Sequence, residues 1–234
     1  MFVRRFALVL SIVFCGSLAL AAAGIAAGGL GPGKYTFHNT SADAFFGMGK
    51  KGGPPSPSWS VSVNRGLNSF KSKSGGPIVV RNTMVSITEF DGSGNGGYGC
   101  FVIPDGDFTV DHKLQSATLT TTLSADEACG GYGSPVGGGK DGVYAGGSSG
   151  LVLPISLNVT WTATGAITTY TNSFSVKCLD YKQDATSDVS STSAEGSGSI
   201  SALPGQFQSD FADISSGDGK SDVHNVPQAA CLGS

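Results

Sequence analysis

At 234 residues, with 14 basic and 17 acidic side chains, the chain has a formal charge of −3 and only 13% charged residues. That balance supplies no basic patch able to neutralise a run of phosphates, which argues against nucleic acid and anionic lipid as partners. A hydrophobic content of 39%, including 13 Phe, is enough to build a core, and a chain of this size suits one all-β domain.

The first element in chain order is an export signal over residues 1–23. Arg4 and Arg5 form a basic start, Phe6 to Phe14 an apolar stretch, and Ala21, Ala22 and Ala23 close a small-residue run, the three-part order of a cleavable signal-peptide helix. Apolar residues resume over Leu18 to Ala27, so a retained anchor is the competing reading, since a span needs about 20 apolar residues. Cleavage is favoured because Ala21 and Ala23 fit the small-x-small site and the Gly-rich lead over residues 24–33 is too flexible to continue a helix. Cys15 follows Phe14, which argues against lipid attachment, and the paired arginines lack the rest of a twin-arginine signal. Removing the signal takes away two arginines and no acid, leaving 12 basic against 17 acidic side chains, a net of −5.

From residue 34 to 234 the alternation has period two, the mark of strands with one buried side. Strands are expected at Tyr35 to Asn39, Trp59 to Val63, Ile78 to Phe90, Cys100 to Ile103, Phe108 to Val110, Leu114 to Leu123, Val189 to Ile200 and Phe207 to Ile214. The clearest case runs Leu151, Leu153, Ile155, Leu157, Val159, Trp161 on one face, and Pro154 assigns that segment to a sheet edge or a bulge. After Thr164-Gly165 the alternation restarts through Tyr170, Phe174 and Val176, which reads as the second arm of a hairpin. Ala185 to Ser199 offers little apolar area to bury and is expected at the periphery. Short strands separated by Gly, Pro, Asn and Asp turns indicate a single antiparallel β-sandwich, with a β-barrel as the alternative. Gly47 to Ser58, Asp91 to Gly99 and Gly130 to Gly150 read as long Gly-rich surface loops.

Without Cys15, an even set remains: Cys100, Cys129, Cys178 and Cys231. In an oxidising compartment this predicts two disulfides. Of three connectivities, Cys100 with Cys129 and Cys178 with Cys231 closes the shortest loops.

Asp91, Ser93 and Asn95 place oxygens at alternate positions before glycine, the first half of a calcium loop. Val102 stands where the closing acid belongs, and Asp, Ser, Asn and Gly are also what a hairpin loop requires, so calcium is a candidate ligand there and no other cofactor is expected. Val136 to Val143 is one copy of a Gly/Asp repeat that needs stacked neighbours to hold an ion. Gly146 to Gly150 satisfies G-x-S-x-G but lacks the strand before and the helix after it. Gly139-Lys140 lacks the hydroxyl residue of a phosphate loop. Acid and base candidates are Asp105, Asp107, Asp111 with His112, His38 and His224, and no catalytic set is assigned among them. Asn39 and Asn158 head glycosylation sequons.

Ser41 to Phe46 (SADAFF), Asp105 to Leu119 (DGDFTVDHKLQSATL) and Asn158 to Gly165 (NVTWTATG) resemble stretches of an uncharacterised group of exported, β-rich bacterial proteins. The resemblance implies a secreted or envelope-held β domain and brings no activity, cofactor or site residue.

Glycine loops carrying aromatics such as Tyr98, Tyr132 and Tyr144 on a strand scaffold point to a non-catalytic interaction module for an extracellular protein or carbohydrate. Two alternatives stand beside it: a secreted hydrolase with its site around Asp105 to His112, and an envelope component that self-associates through edge strands.

Overall fold

The computed structural model describes residues 32–47, 58–72, 77–90, 97–129, 151–202 and 205–225. The signal and most of the lead, the Asp91, Ser93, Asn95 loop, the whole of 130–150 and Cys231 lie outside the described residues. Ten strands account for most of the rest: β1 (Gly33–Phe46), β2 (Ser58–Ser72), β3 (Pro77–Phe90), β4 (Tyr98–Ile103), β5 (Phe108–Val110), β6 (Ser116–Leu123), β7 (Ile155–Ala163), β8 (Thr168–Cys178), β9 (Tyr181–Ile200) and β10 (Phe207–Val223). Among the described residues no helix is long and apolar enough to cross a membrane.

The all-β, sandwich-like expectation is borne out by one continuous antiparallel sheet. Its strands run β4-β3-β2-β1-β10-β9-β7-β6-β5, with β8 also paired to β9. The two ends fold over each other because each contributes an apolar face to one core. Val61, Val63, Val85, Ile87 and Phe101 come from the β4-to-β1 side, and Leu119, Leu157, Val159 and Trp161 from the other. Trp59 and Trp161 are both buried. A smaller core of Tyr35, Tyr181 and Val223, with Phe70 against it, lies elsewhere in the sheet.

The Cys100–Cys129 disulfide forms as expected, with Cα atoms 5.3 Å apart. It joins edge strand β4 to the segment after β6, where Cys129 N–H donates to the Cys100 carbonyl at 2.8 Å and Phe101 pairs with Ala128. Cys178 is disulfide-bonded too.

Three strand expectations need correction. β9 is not peripheral: β10 pairs along one edge, and β8 and β7 share the other end to end. Ladder hydrogen bonds on both sides and small side chains place it there, although it buries little apolar area. β7 and β8 do not form a hairpin, since each pairs with β9 rather than with the other. Phe174 and Val176 of β8 are exposed, so the alternation there marks no buried face. Pro154 puts no strand at an edge, because β7 begins one residue after it and lies between β6 and β9.

Candidate active site

The sequence-derived acid and base candidates are scattered. Asp111 organises its own turn, accepting from the Lys113 and Gln115 N–H groups at 3.1 and 3.3 Å. Slight desolvation pushes its carboxyl up, but those two donors and the adjacent His112 and Lys113 charges outweigh it and hold it below the usual carboxylate range. His112 sits 3.1 Å from Asp111 on a side chain 81% exposed. Asp107 accepts from Thr121 Oγ1 at 2.8 Å, and His224 lies exposed just past β10, its N–H on the Lys182 carbonyl. The Asp105 to His112 segment therefore assembles no catalytic group: its carboxylates are spent on turn and cross-strand contacts. Besides the Asp111–His112 contact, His38 and Asp105 are the candidates brought together among the described residues, in a small cavity on the core-side face of the sheet.

A different pair of acids has the properties of a site. Asp43 in β1 stands directly opposite Asp213 in β10. Ala42 and Ala44 turn into the main core, as do Ala212 and Ile214, so alternation sends both carboxyls to the other face of the sheet. Directly opposed residues of an antiparallel pair have Cβ atoms about 4.5–5.5 Å apart. Each carboxyl keeps one oxygen, Asp43 Oδ2 and Asp213 Oδ1, shut away from solvent and unbonded among the described residues. Burial, and then the charge of Asp213, drive the Asp43 carboxyl well above its ordinary range against a hydrogen bond from Ser62. Burial alone raises Asp213 to about 6.

The neighbours on this face form a polar row with an aromatic end. Continuing along β1 and β10, the next opposed pair is Ser41 and Ser215, whose hydroxyls meet at 2.7 Å. Beyond them Gly66 leaves room for three amides: a Cβ at that position would lie 3.0 Å from Asn39 Oδ1, 3.2 Å from Asn82 Oδ1 and 3.3 Å from Asn68 Nδ2. In the opposite direction the next opposed pair is Phe45 and Phe211, stacked with centroids 5.1 Å apart and planes inclined by 1°, with Phe90 5.9 Å from Phe45. Phe90 and Phe211 are each 48% exposed, so the rings make an open ledge beside the acids. Asn39 is buried among these groups, which takes that sequon out of reach, whereas Asn158 of the second is exposed.

Sequence reasoning missed this site because it weighed acids that stand in turns. The signal was present in strands: Ala42-Asp43-Ala44 and Ala212-Asp213-Ile214 each set a carboxylate in an apolar run, a placement that is costly without a purpose or a partner. Neither strand carried a motif, and only the sheet register brings them together.

No family model matches the chain, and no curated protein matches it. A solved structure that does match is described as an acetoacetate decarboxylase-like enzyme from Sphingomonas wittichii RW1. It is 10% identical, with 85% of this chain and 94% of that chain covered, at a TM-score of 0.26. At that score the likeness transfers neither fold nor activity. The expectation of a non-catalytic interaction module is corrected instead by the opposed, unbonded carboxyls of Asp43 and Asp213, which give the chain a candidate catalytic pair.

Proposed function

We propose that the chain is an exported enzyme that cleaves glycosidic bonds by acid–base catalysis, with Asp43 and Asp213 as its two working carboxyls. The observation that carries the reading is the opposed pair itself, two carboxyls in strand register with an unbonded oxygen on each. Burial raises both carboxyls and the charge of Asp213 raises Asp43 further, so Asp43 is assigned as the proton donor to the leaving oxygen and Asp213, at about 6, as the carboxylate that faces the anomeric carbon. In a retaining mechanism, whose two carboxyls stand roughly 5–5.5 Å apart, the second carboxylate, here Asp213, is the nucleophile. After departure of the leaving group, Asp43 takes a proton from the water that releases the sugar from Asp213, restoring both groups.

The surroundings favour a sugar over other hydrolysable substrates. The exposed rings of Phe90 and Phe211, with half-buried Phe45 packed against them, offer an apolar surface for a pyranose face, and the amides around Gly66 offer donors and acceptors for hydroxyls. Export is part of the proposal, supported by the order of basic, apolar and small residues over 1–23 and by the Cys100–Cys129 disulfide.

The test is reducing-end release from a panel of oligosaccharides and aryl glycosides by the oxidised protein and by Asp43→Asn and Asp213→Asn. Each variant should lose about 10²- to 10⁴-fold in kcat, and azide should restore turnover of an activated aryl glycoside by Asp213→Asn. Wild-type turnover no greater than that of the double variant across the panel would dispose of the reading.

A further inference from the structure

We infer that the opposite face of the sheet holds a separate binding site for a small carboxylate, built around Arg65 and Arg81. The cavity there has a volume of 220 Å³ and is lined by His38, Arg65, Leu67, Arg81 and Asp105. Register explains how these groups meet. His38, Leu67 and Arg81 stand side by side on β1, β2 and β3, and Arg65 precedes Leu67 by two residues on the same face. Asp105 enters from the turn before β5, where the far end of the sheet folds back.

The guanidinium groups are held in place while most of their donors stay open. Arg65 lies over the Phe108 ring, 5.8 Å from its centroid, and Nη1 donates to the Phe108 carbonyl at 3.1 Å. Arg81 meets Asp105 only through Nε, at 3.8 Å, which is beyond a hydrogen bond. Asp105 is itself engaged by Thr83 Oγ1 at 2.6 Å. His38 is turned to Asp218, Nδ1 to Oδ1 at 2.8 Å. A guanidinium carries five donors and no acceptor, so among the described residues both arginines present unused N–H groups to the cavity.

Two fixed cations stand against one lining carboxylate, and the nearby Asp218 carboxylate is taken up by His38, so the open guanidinium donors favour an anion. A planar carboxylate matches the guanidinium fork in both geometry and charge, and Leu67 provides an apolar wall for the carbon carrying it.

The test is calorimetric titration of the oxidised full chain with acetate, glycolate, inorganic phosphate and sulfate at constant ionic strength, with chloride as the reference. Acetate or glycolate should bind saturably at one site, and Arg81→Gln, an exposed position whose loss leaves the core intact, should weaken binding by at least about tenfold. Heats indistinguishable from chloride, an unchanged constant in Arg81→Gln, or saturable binding of phosphate or sulfate alone would each overturn the inference. Asp43→Asn should bind the carboxylate as the wild type does, which separates this site from the glycosidase reading.

Discussion

Trp161 of β7 donates its indole N–H to the main-chain oxygen of Asp43 in β1, at 2.8 Å across 118 residues of sequence. One of the two tryptophans of the main core is thereby tied to the strand that carries one of the two paired carboxyls, and β1 is held from the core side while Asp43 projects the other way. Trp161→Phe keeps most of the apolar volume and removes the donor. It should cost about 1–3 kcal/mol, the usual penalty for leaving a buried acceptor unpaired, read as a shift in urea midpoint with unchanged slope. A substitution behind the site that lowers kcat with little change in KM would place this contact among the groups that position Asp43.

The carboxyl pair sets a pH dependence of unusual sign. Burial raises Asp213 from 3.8 to about 6, so between those values the folded protein holds a proton that the unfolded chain has released. Stability therefore falls as pH rises through this window and levels off above about 6. The difference in proton affinity corresponds to about 3 kcal/mol at neutral pH. Asp43 is displaced in the same direction and adds to the decline. Asp213→Asn should flatten the profile between pH 4 and 6 and raise the melting temperature at pH 7.5 while abolishing activity. A variant that loses stability at neutral pH would show that the carboxylate is held by a favourable partner.

Much of the architecture was legible from period-two alternation, because a strand with one buried side writes its burial directly into the sequence. Ile155, Leu157, Val159 and Trp161 were read as one apolar face and are buried. Phe108–Val110 was placed with its observed bounds. β9 was misread for a physical reason: a strand of Ser, Thr, Asp and Gly can occupy the middle of a sheet when backbone pairing on both edges fixes it, and backbone pairing leaves no side-chain signature. The site was illegible for the same reason. Asp43 and Asp213 lie 170 residues apart in numbering, and nothing local to either announces the other.

Reduction should loosen the fold where the two sheet ends meet. Cys100 and Cys129 are 29 residues apart, and closing a loop of that length contributes about 3–4 kcal/mol in the chain-entropy model. The Cys100→Ser, Cys129→Ser double variant should melt roughly 6–16 °C lower, and native-state hydrogen exchange should rise first in β4 and around residues 125–129. Equal acceleration throughout the sheet would mean that the disulfide acts only through the unfolded chain.

Gly198 offers the sharpest test of the central position of β9. It pairs with Val159 of β7 and with Phe207 of β10, and a Cβ added there would fall 1.9 Å from the Asn158 carbonyl oxygen and 2.9 Å from Val159 Cα. Those atoms are backbone held in a ladder, so relief requires β7 and β9 to part. Gly217 is the matched control: a Cβ at that position meets Val189 Cγ2 at 3.5 Å, an ordinary contact. Gly198→Ala should destabilise by about 1–3 kcal/mol or more, as overpacking into a fixed neighbour does, whereas Gly217→Ala should change stability by well under 1 kcal/mol. Chemical denaturation of the two variants side by side decides the matter. Equal midpoints would mean that β7 does not approach β9 this closely, and that β9 belongs at the edge its composition suggests.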